Sequence, residues 1–211
     1  MTIRGLIFDL DNTLVDSRLD FEAMRREMKL PAGQPILEAI QALPAAAAER
    51  CRAILRRHEL AGAARATLMP GAREVLTEAN RRGLRVAIAT RNSREIALAT
   101  LARVAVEIEL VLTRDCGPTK PDPWPVLRAI EAWDLESSEV AVIGDYRFDI
   151  ESGRAAGART VLLVHREDPQ AHPNHERADL VLASLAEGAR LWMWLAEFNR
   201  REDLRGTDTT S

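Results

Sequence analysis

The chain has 211 residues, of which 29 are Lys or Arg and 32 are Asp or Glu, so its formal net charge is −3. Hydrophobic residues make up 46% and charged residues 29%, which is typical of a globular protein and too apolar for a disordered one. The sequence pI of about 5.9 argues against nucleic acid as a partner, because domains that bind nucleic acid are usually basic.

The sequence indicates neither a membrane segment nor a secreted chain. No apolar run approaches the ~18 residues that a transmembrane helix needs. Asp9 interrupts the apolar run near the N-terminus, so no signal peptide is predicted. Cys51 and Cys116 lie far apart, which argues against a disulfide framework and a zinc site. We therefore expect a cytoplasmic protein that binds no membrane.

Short apolar runs alternate with helical stretches along most of the chain. The predicted strands are 5–10, 85–90, 108–113, 140–145, 160–164 and a less regular run at 178–183. The predicted helices between them are 72–82, 94–103, 123–133 and 148–156. Because the strands are continuously apolar, both faces of their sheet must be covered, which is typical of parallel sheets. The alternation predicts a Rossmann-like, doubly wound α/β fold with a mostly parallel sheet.

Residues 18–69 break this alternation. No strand is predicted there, and three helices are, over 21–30, 36–43 and 45–64. About fifty residues are too many for an ordinary connection and too few for a usual domain. We interpret them as an inserted helical cap on a core of residues 1–17 and 70–203, with a frayed tail at 204–211. The alternative is one long crossover packed on the sheet.

Polar residues follow the predicted strands at the edge where open α/β sheets bind ligands. They are Asp9 and Asp11, Thr90 and Arg91, Lys120, and Asp145 and Asp149. Carboxylates that lie together repel one another, so the four aspartates require a cation unless some are protonated. Oxygen ligands with open positions favour Mg²⁺, and the lack of His and Cys in the set argues against zinc.

This combination of groups points to phosphorus chemistry. A carboxylate can attack phosphorus to form an acyl phosphate, while a metal ion, a lysine and backbone N–H groups offset the charge on the phosphoryl oxygens. Uncatalysed hydrolysis of phosphate monoesters is so slow that enzymes accelerate it by up to ~10²¹-fold. A covalent route divides that barrier between two displacements.

The same residues resemble the four motifs of the haloacid dehalogenase superfamily of phosphohydrolases. DLDNTLVDS at residues 9–17 resembles the first motif, and Thr90 in AIATRNS the second. Lys120 in GPTKPDP resembles the third motif, and the two aspartates of GDYRFD resemble the fourth. The motifs occur in order, and the resemblance covers roughly residues 3–192. The helices between the first two motifs are similar to the small cap of the phosphoglycolate phosphatase-like branch.

The resemblance implies a role for each residue. Asp9 is expected to be the nucleophile, and Asp11 the acid and base, with a pKa raised by neighbouring carboxylates. The Thr90 hydroxyl and the Arg91 backbone N–H are expected to bind the phosphoryl group. Lys120 would neutralise charge on Asp9 and the phosphate. The expected Mg²⁺ ligands are Asp9, the Asp11 carbonyl and Asp145, with Asp149 completing or orienting the shell.

The cap is expected to choose the substrate, a small phosphorylated metabolite, by closing over the site. Arg18 and Arg25 are candidates to meet a substrate anion, and Tyr146 is expected to crowd the site or line the pocket. Phe21 and Met24 are expected to pack the cap onto the core. We expect a monomer or a weak homodimer.

Three other functions remain open at this point. A phosphomutase similar to beta-phosphoglucomutase keeps the acid at Asp11, but such an enzyme needs a cap base, and His58 lies late in the cap segment. A phospho-acceptor signalling module uses similar residues, but it carries no fifty-residue insertion after its first strand. A protein that binds phosphorylated ligands without catalysis is the third alternative.

Overall fold

The computed structural model describes residues 2–165 and 175–206. Its main sheet has six parallel strands in the order β5-β4-β1-β6-β7-β8. These strands are β1 (Gly5–Phe8), β4 (Arg85–Ala89), β5 (Leu110–Leu112), β6 (Val140–Gly144), β7 (Arg159–Leu163) and β8 (Leu180–Leu182). In the pairing register, Ile7 of β1 stands beside Ala87 of β4 and Val142 of β6. The predicted α/β fold with a parallel sheet is confirmed.

Helices cover both faces of this sheet. They are α4 (Ala72–Arg81), α5 (Arg94–Arg103), α6 (Trp124–Trp133), α7 (Arg147–Ala155) and α8 (Gly188–Gly206). Because successive side chains of a strand point to opposite faces, β1 contributes to two cores. Leu6 and Phe8 belong to one buried cluster, and Ile7 belongs to another. The continuous apolar runs of the sequence are therefore explained by burial on both faces.

The three helices of the inserted segment form a cluster of their own. They are α1 (Phe21–Met28), α2 (Ile36–Gln41) and α3 (Ala45–Ala63). Met24, Met28, Ile40 and Leu55 are buried against one another in this cluster. The predicted helices are thus present, each ending up to two residues early. The proposed cap boundaries of 18 and 69 stay a prediction, and we use "cap" below for residues 18–69.

A short antiparallel pair, which the sequence did not predict, lies at the base of the cap. It joins β2 (Val15–Asp16) to β3 (Thr67–Leu68). The expectation that residues 18–69 contain no strand is therefore wrong at β3. Two residues are too few to show the alternation by which a strand is recognised in a sequence. The pair ties together the two crossings between core and cap.

The C-terminal helix α8 runs to Gly206. The frayed tail expected from residue 204 is thus helical over its first three residues, because α8 continues past the predicted end of the core. Residues 207–211 of that tail lie outside the described residues. No helix in the described part of the chain is both long enough and apolar enough to cross a membrane.

Candidate active site

The sheet order brings the predicted site residues to one edge. Strands β4, β1 and β6 are neighbours and run parallel, so their carboxyl ends lie side by side. Asp9 follows β1, Thr90 follows β4 and Asp145 follows β6. All three line one cavity of about 470 Å³, beneath the cap. The edge predicted from the sequence is therefore where these side chains meet.

Three aspartates form a cluster that could hold a metal ion. Carboxylate oxygens of Asp9, Asp145 and Asp149 all lie within 4.8 Å of one another. Asp9 and Asp149 come from positions far apart in the sequence, and the adjacent strands β1 and β6 bring them together. An oxygen-only donor set of this kind suits a hard divalent cation.

Lys120 lies within this cluster. Its Nζ donates to Asp9 Oδ1 at 2.6 Å and to Asp149 Oδ1 at 2.5 Å, and the side chain is only 3% exposed. Burial by itself would lower the pKa of this ammonium, but the charges of Asp149 and Asp9 outweigh burial and raise the pKa above its ordinary value. Lys120 is therefore a fixed positive charge against the predicted nucleophile.

One ammonium does not balance three carboxylates. Burial raises the pKa of Asp149 to about 6, and Asp9 adds to that rise while Lys120 opposes it. Burial also raises the pKa of Asp145, with further rises from the charges of Asp9 and Asp149. Both carboxyl groups thus lie in surroundings that disfavour negative charge. A divalent cation at the cluster would supply the missing positive charge, so the residues fit a metal ion.

Gly144 allows Asp149 to reach the cluster. Asp149 lies in the first turn of α7, where its Oδ2 accepts a hydrogen bond from the backbone N–H of Tyr146 at 3.0 Å. A Cβ on Gly144 would lie 2.1 Å from the Asp149 carboxyl carbon. Only glycine leaves room for this approach. The carboxylate therefore acts both as a helix cap and as a member of the acidic cluster.

The Asp11 carboxylate lies outside the cluster of three. It accepts hydrogen bonds from the Ser17 hydroxyl and from Asn92 Nδ2, the latter at 2.6 Å. Its pKa is raised to about 6, mainly by burial, while the charge of Asp9 is a smaller cause and the bond from Ser17 opposes the rise. The expected rise is present, but its main cause is burial rather than neighbouring carboxylates. The metal contact through the Asp11 carbonyl stays a prediction.

Thr90 and Arg91 are both at the cavity, with different side-chain partners. The Thr90 hydroxyl is buried and accepts a hydrogen bond from the Asn92 backbone N–H at 3.1 Å, which leaves its own proton available. The Arg91 guanidinium donates to both oxygens of Glu38 in the cap at 2.7 Å. The predicted use of the Arg91 backbone N–H stays a prediction.

The specificity candidates divide between the cavity and the outer surface. Arg25 lines the cavity, where its Nη1 donates to Glu22 at 2.6 Å. Tyr146 lines it too, with 48% of the residue exposed. Arg18 does not line it, because its exposed side chain turns toward Asp16 instead. The suggestion that Arg18 meets a substrate anion stays a prediction.

Phe21 also differs from its expectation. Met24 is buried in the cap cluster, whereas Phe21 is 40% exposed and lines the cavity. Phe21 is the first residue of α1, where the helix begins at the surface. It therefore does not pack the cap onto the core in the way expected.

Several residues of the site were not selected from the sequence. Ser17 and Asn92 lie inside the quoted motif segments, and their closeness to the key residues was the available signal. Arg114 bonds both oxygens of Glu59 at 2.7 and 2.9 Å and links the loop after β5 to α3 of the cap. No local pattern connects these two residues, because the chain brings them together only on folding.

The chain that carries this cavity is similar in sequence to known proteins. The family model of haloacid dehalogenase-like hydrolases matches residues 3–157. A haloacid dehalogenase-like hydrolase domain-containing protein of Arabidopsis thaliana is 30% identical over 173 residues, which cover 76% of this chain and 71% of the plant protein. An N-acetylmuramic acid 6-phosphate phosphatase of Pseudomonas putida is 28% identical over 209 residues, which cover 86% of this chain and 92% of that protein.

A solved structure shares the fold of this chain. A hydrolase from Pseudomonas syringae has the same fold, with a TM-score of 0.73 at 24% identity over 87% of this chain and 94% of that one. Other matching relatives are named phosphoglycolate phosphatase and phosphoserine phosphatase. The chain belongs to the haloacid dehalogenase-like hydrolase family. The predicted family and the predicted enzyme class, a hydrolase with phosphatases among its relatives, are confirmed.

Proposed function

We propose that this chain is a magnesium-dependent phosphatase that hydrolyses the phosphate monoester of a small metabolite through an aspartyl phosphate. One observation carries the proposal: Lys120 bonds both Asp9 and Asp149 within a cluster of three carboxylates. A nucleophile, a fixed ammonium and a place for a divalent cation thus share one cavity. Mg²⁺, held by Asp9, Asp145 and Asp149, would offset the charge on the phosphoryl oxygens.

In the first displacement, a carboxylate oxygen of Asp9 attacks phosphorus and the ester P–O bond breaks. Lys120, which already touches Asp9, stabilises the charge that develops on the phosphoryl oxygens. The proton of Asp11 goes to the leaving alkoxide. Burial suits Asp11 to this role, because it raises the pKa to about 6 and favours the protonated form over that of an ordinary aspartate.

In the second displacement, water attacks phosphorus and the bond from Asp9 to phosphorus breaks. Asp11, now a carboxylate, takes one proton from the water, and inorganic phosphate leaves. Ser17 and Asn92 bond the Asp11 carboxylate and fix its orientation in this role. The Thr90 hydroxyl donates a hydrogen bond to a phosphoryl oxygen. Together, the two displacements return Asp9 and Asp11 to their starting states.

The relatives support a phosphate monoester as the substrate class. Their names specify N-acetylmuramic acid 6-phosphate, phosphoglycolate and phosphoserine, which are all phosphate monoesters of small organic molecules. A monomer or a weak homodimer remains our proposal for the assembly, because a single chain contributes all the groups named above.

Release of inorganic phosphate tests the proposal. The purified chain with Mg²⁺ is incubated with a panel of phosphorylated metabolites and a generic aryl phosphate, and free phosphate and organic products are measured. A phosphatase releases free phosphate in step with the dephosphorylated alcohol. An isomerised sugar phosphate without free phosphate would indicate a mutase, and binding without turnover, unchanged in Asp9→Asn, would indicate a non-catalytic binding protein.

A further inference from the structure

The cap contributes apolar side chains to the cavity, next to the charged side chains of Glu22, Arg25 and Glu59. Three of the apolar side chains are at least partly exposed, and we call this set the apolar wall: Leu19, Phe21 and Leu37. Met24, Ile36 and Leu55 back this wall from within the buried cap cluster. Tyr146 and Phe148 of the core lie beside it, with ring centroids 5.0 Å apart and planes at 88°. A phosphate group fills only part of a cavity of about 470 Å³, so the wall is left to the rest of the substrate.

Two aromatic residues of this region are exposed. Phe21 is 40% exposed and Tyr146 is 48% exposed, and both line the cavity. They come from different parts of the protein, Phe21 from the cap and Tyr146 from the core loop after β6. Large apolar side chains that stay exposed around a groove are typical of a ligand-binding surface. A ligand with an apolar face would cover them.

The cations of the cavity are already matched by carboxylates of the chain. Arg25 pairs with Glu22, Arg91 with Glu38 and Arg114 with Glu59. Lys120 bonds Asp9 and Asp149. The cation that the acidic cluster requires would be matched by those carboxylates and by the phosphoryl group. A second anionic group on the substrate would therefore enter the cavity without a counter-charge, at a cost in desolvation.

From these three observations we infer that the substrate is a phosphate monoester of an uncharged alcohol with an apolar or ring-shaped face. This inference rests on the proposed function and deepens it. The apolar wall and Tyr146 bind the leaving group, while a carboxylate or a second phosphate on that group weakens binding. The chain thus differs in preference from relatives named for N-acetylmuramic acid 6-phosphate, phosphoglycolate or phosphoserine, whose substrates all carry a carboxylate.

Three primary phosphate esters test the inference on the intact chain with Mg²⁺: benzyl phosphate, 4-carboxybenzyl phosphate and ethyl phosphate. We expect kcat/KM for benzyl phosphate to exceed that for ethyl phosphate by about 10- to 100-fold, because the ring is buried against the apolar wall. We expect 4-carboxybenzyl phosphate to be at least about 10-fold poorer than benzyl phosphate. Equal values for all three, or a preference for the carboxylated ester, would overturn the inference while leaving the phosphatase in place.

Variants at exposed positions test whether Phe21 and Tyr146 bind the ring of the substrate. Phe21→Ala and Tyr146→Ala are expected to reduce the benzyl-to-ethyl ratio of kcat/KM, chiefly through KM for benzyl phosphate. Leu127→Ala is the matched control, because Leu127 is 43% exposed but does not line the cavity. A ratio that falls equally in the control, or in none of the three variants, would contradict the assignment of the apolar wall.

Glu22→Gln tests the matched charges directly. It removes the carboxylate partner of Arg25 at a side chain that is 59% exposed, while the bond from Arg25 Nε to the Gln34 carbonyl stays, so Arg25 Nη1 becomes available to a substrate carboxylate. We expect 4-carboxybenzyl phosphate to improve by about 3- to 5-fold relative to benzyl phosphate. No relative improvement would contradict the matched-charge argument. Release of phosphate from none of the three esters would overturn the proposed function itself.

Discussion

The sheet wall of the cavity and the cap wall differ in how their side chains are held. At the sheet wall, Asp9, Lys120 and Asp149 are locked by direct hydrogen bonds between elements that the core fixes. At the cap wall, which residues 18–69 provide, apolar side chains line the cavity, and exposed cap glutamates pair with Arg25 and with Arg91 of the core. The sheet wall is suited to a fixed reaction and the cap wall to a variable leaving group. Changes at the two walls should therefore affect different kinetic parameters.

The largest effect is expected at the nucleophile. Asp9→Asn should abolish turnover, because the amide cannot form the acyl phosphate. The measurement is phosphate release from benzyl phosphate under saturating conditions. Asp16→Asn is the control, because it makes the same change of side chain at a residue that forms an exposed ion pair with Arg18 and does not line the cavity. Turnover by Asp9→Asn at the wild-type rate would remove the sheet wall from the reaction.

Removal of divalent cations should have an effect of similar size. With a chelator, the carboxylates of Asp9, Asp145 and Asp149 would lose the charge that balances them, and turnover should stop. Mg²⁺ binding can be followed independently by titration calorimetry, and Asp145→Asn should weaken it. Full activity in the chelator, or an undiminished calorimetric signal in Asp145→Asn, would contradict the metal assignment.

A smaller loss is expected at the lysine. Lys120→Met keeps most of the aliphatic stem but removes the charge beside Asp9, so kcat should fall by about 10²–10³-fold, similar to the loss of one oxyanion donor. KM should change less, since the charge acts mainly as phosphorus is attacked. Steady-state kinetics give both values, and a kcat near wild type would show that the loop around Lys120 has another role.

The junction between the two walls should contribute to stability. In Glu59→Gln, the Arg114 guanidinium loses a carboxylate that is only 5% exposed, and the free energy of unfolding should fall by about 1–3 kcal/mol. Urea denaturation measures this change. Arg56→Gln is the exposed counterpart, because Arg56 and Glu95 also link cap to core but are 57% and 50% exposed. Arg56→Gln should leave the denaturation midpoint unchanged, and equal losses in both variants would contradict the importance of burial.

The same contrast explains what could be predicted from the sequence. At the sheet wall, a buried strand followed by polar residues has a strong local pattern, and parallel strands bring their ends to one edge. Asp9, Asp145 and Lys120 were therefore correctly expected to lie together. At the cap wall, positions depend on how helices pack, which leaves no local trace. Phe21 is more exposed than expected for that reason, and the bond between Arg114 and Glu59 was not foreseen.

Two finer points follow from the same physical limit. Residue types indicated that the pKa of Asp11 rises, but burial, the main cause, is a property of the folded chain. The pairing of β2 with β3 is too short to leave a periodic pattern. Sequence patterns thus identify groups and their order along the chain, whereas their surroundings require the structure.

The central claim is that Asp9 accepts the phosphoryl group beside Lys120. It is tested most directly by mixing the enzyme with benzyl phosphate and Mg²⁺, quenching with acid within milliseconds, and locating the phosphoryl group by mass spectrometry. We predict a transient phosphoryl group on Asp9 that is absent in Asp9→Asn. A phosphoryl group on another residue, or turnover with no phosphorylated chain at any time point, would contradict the account.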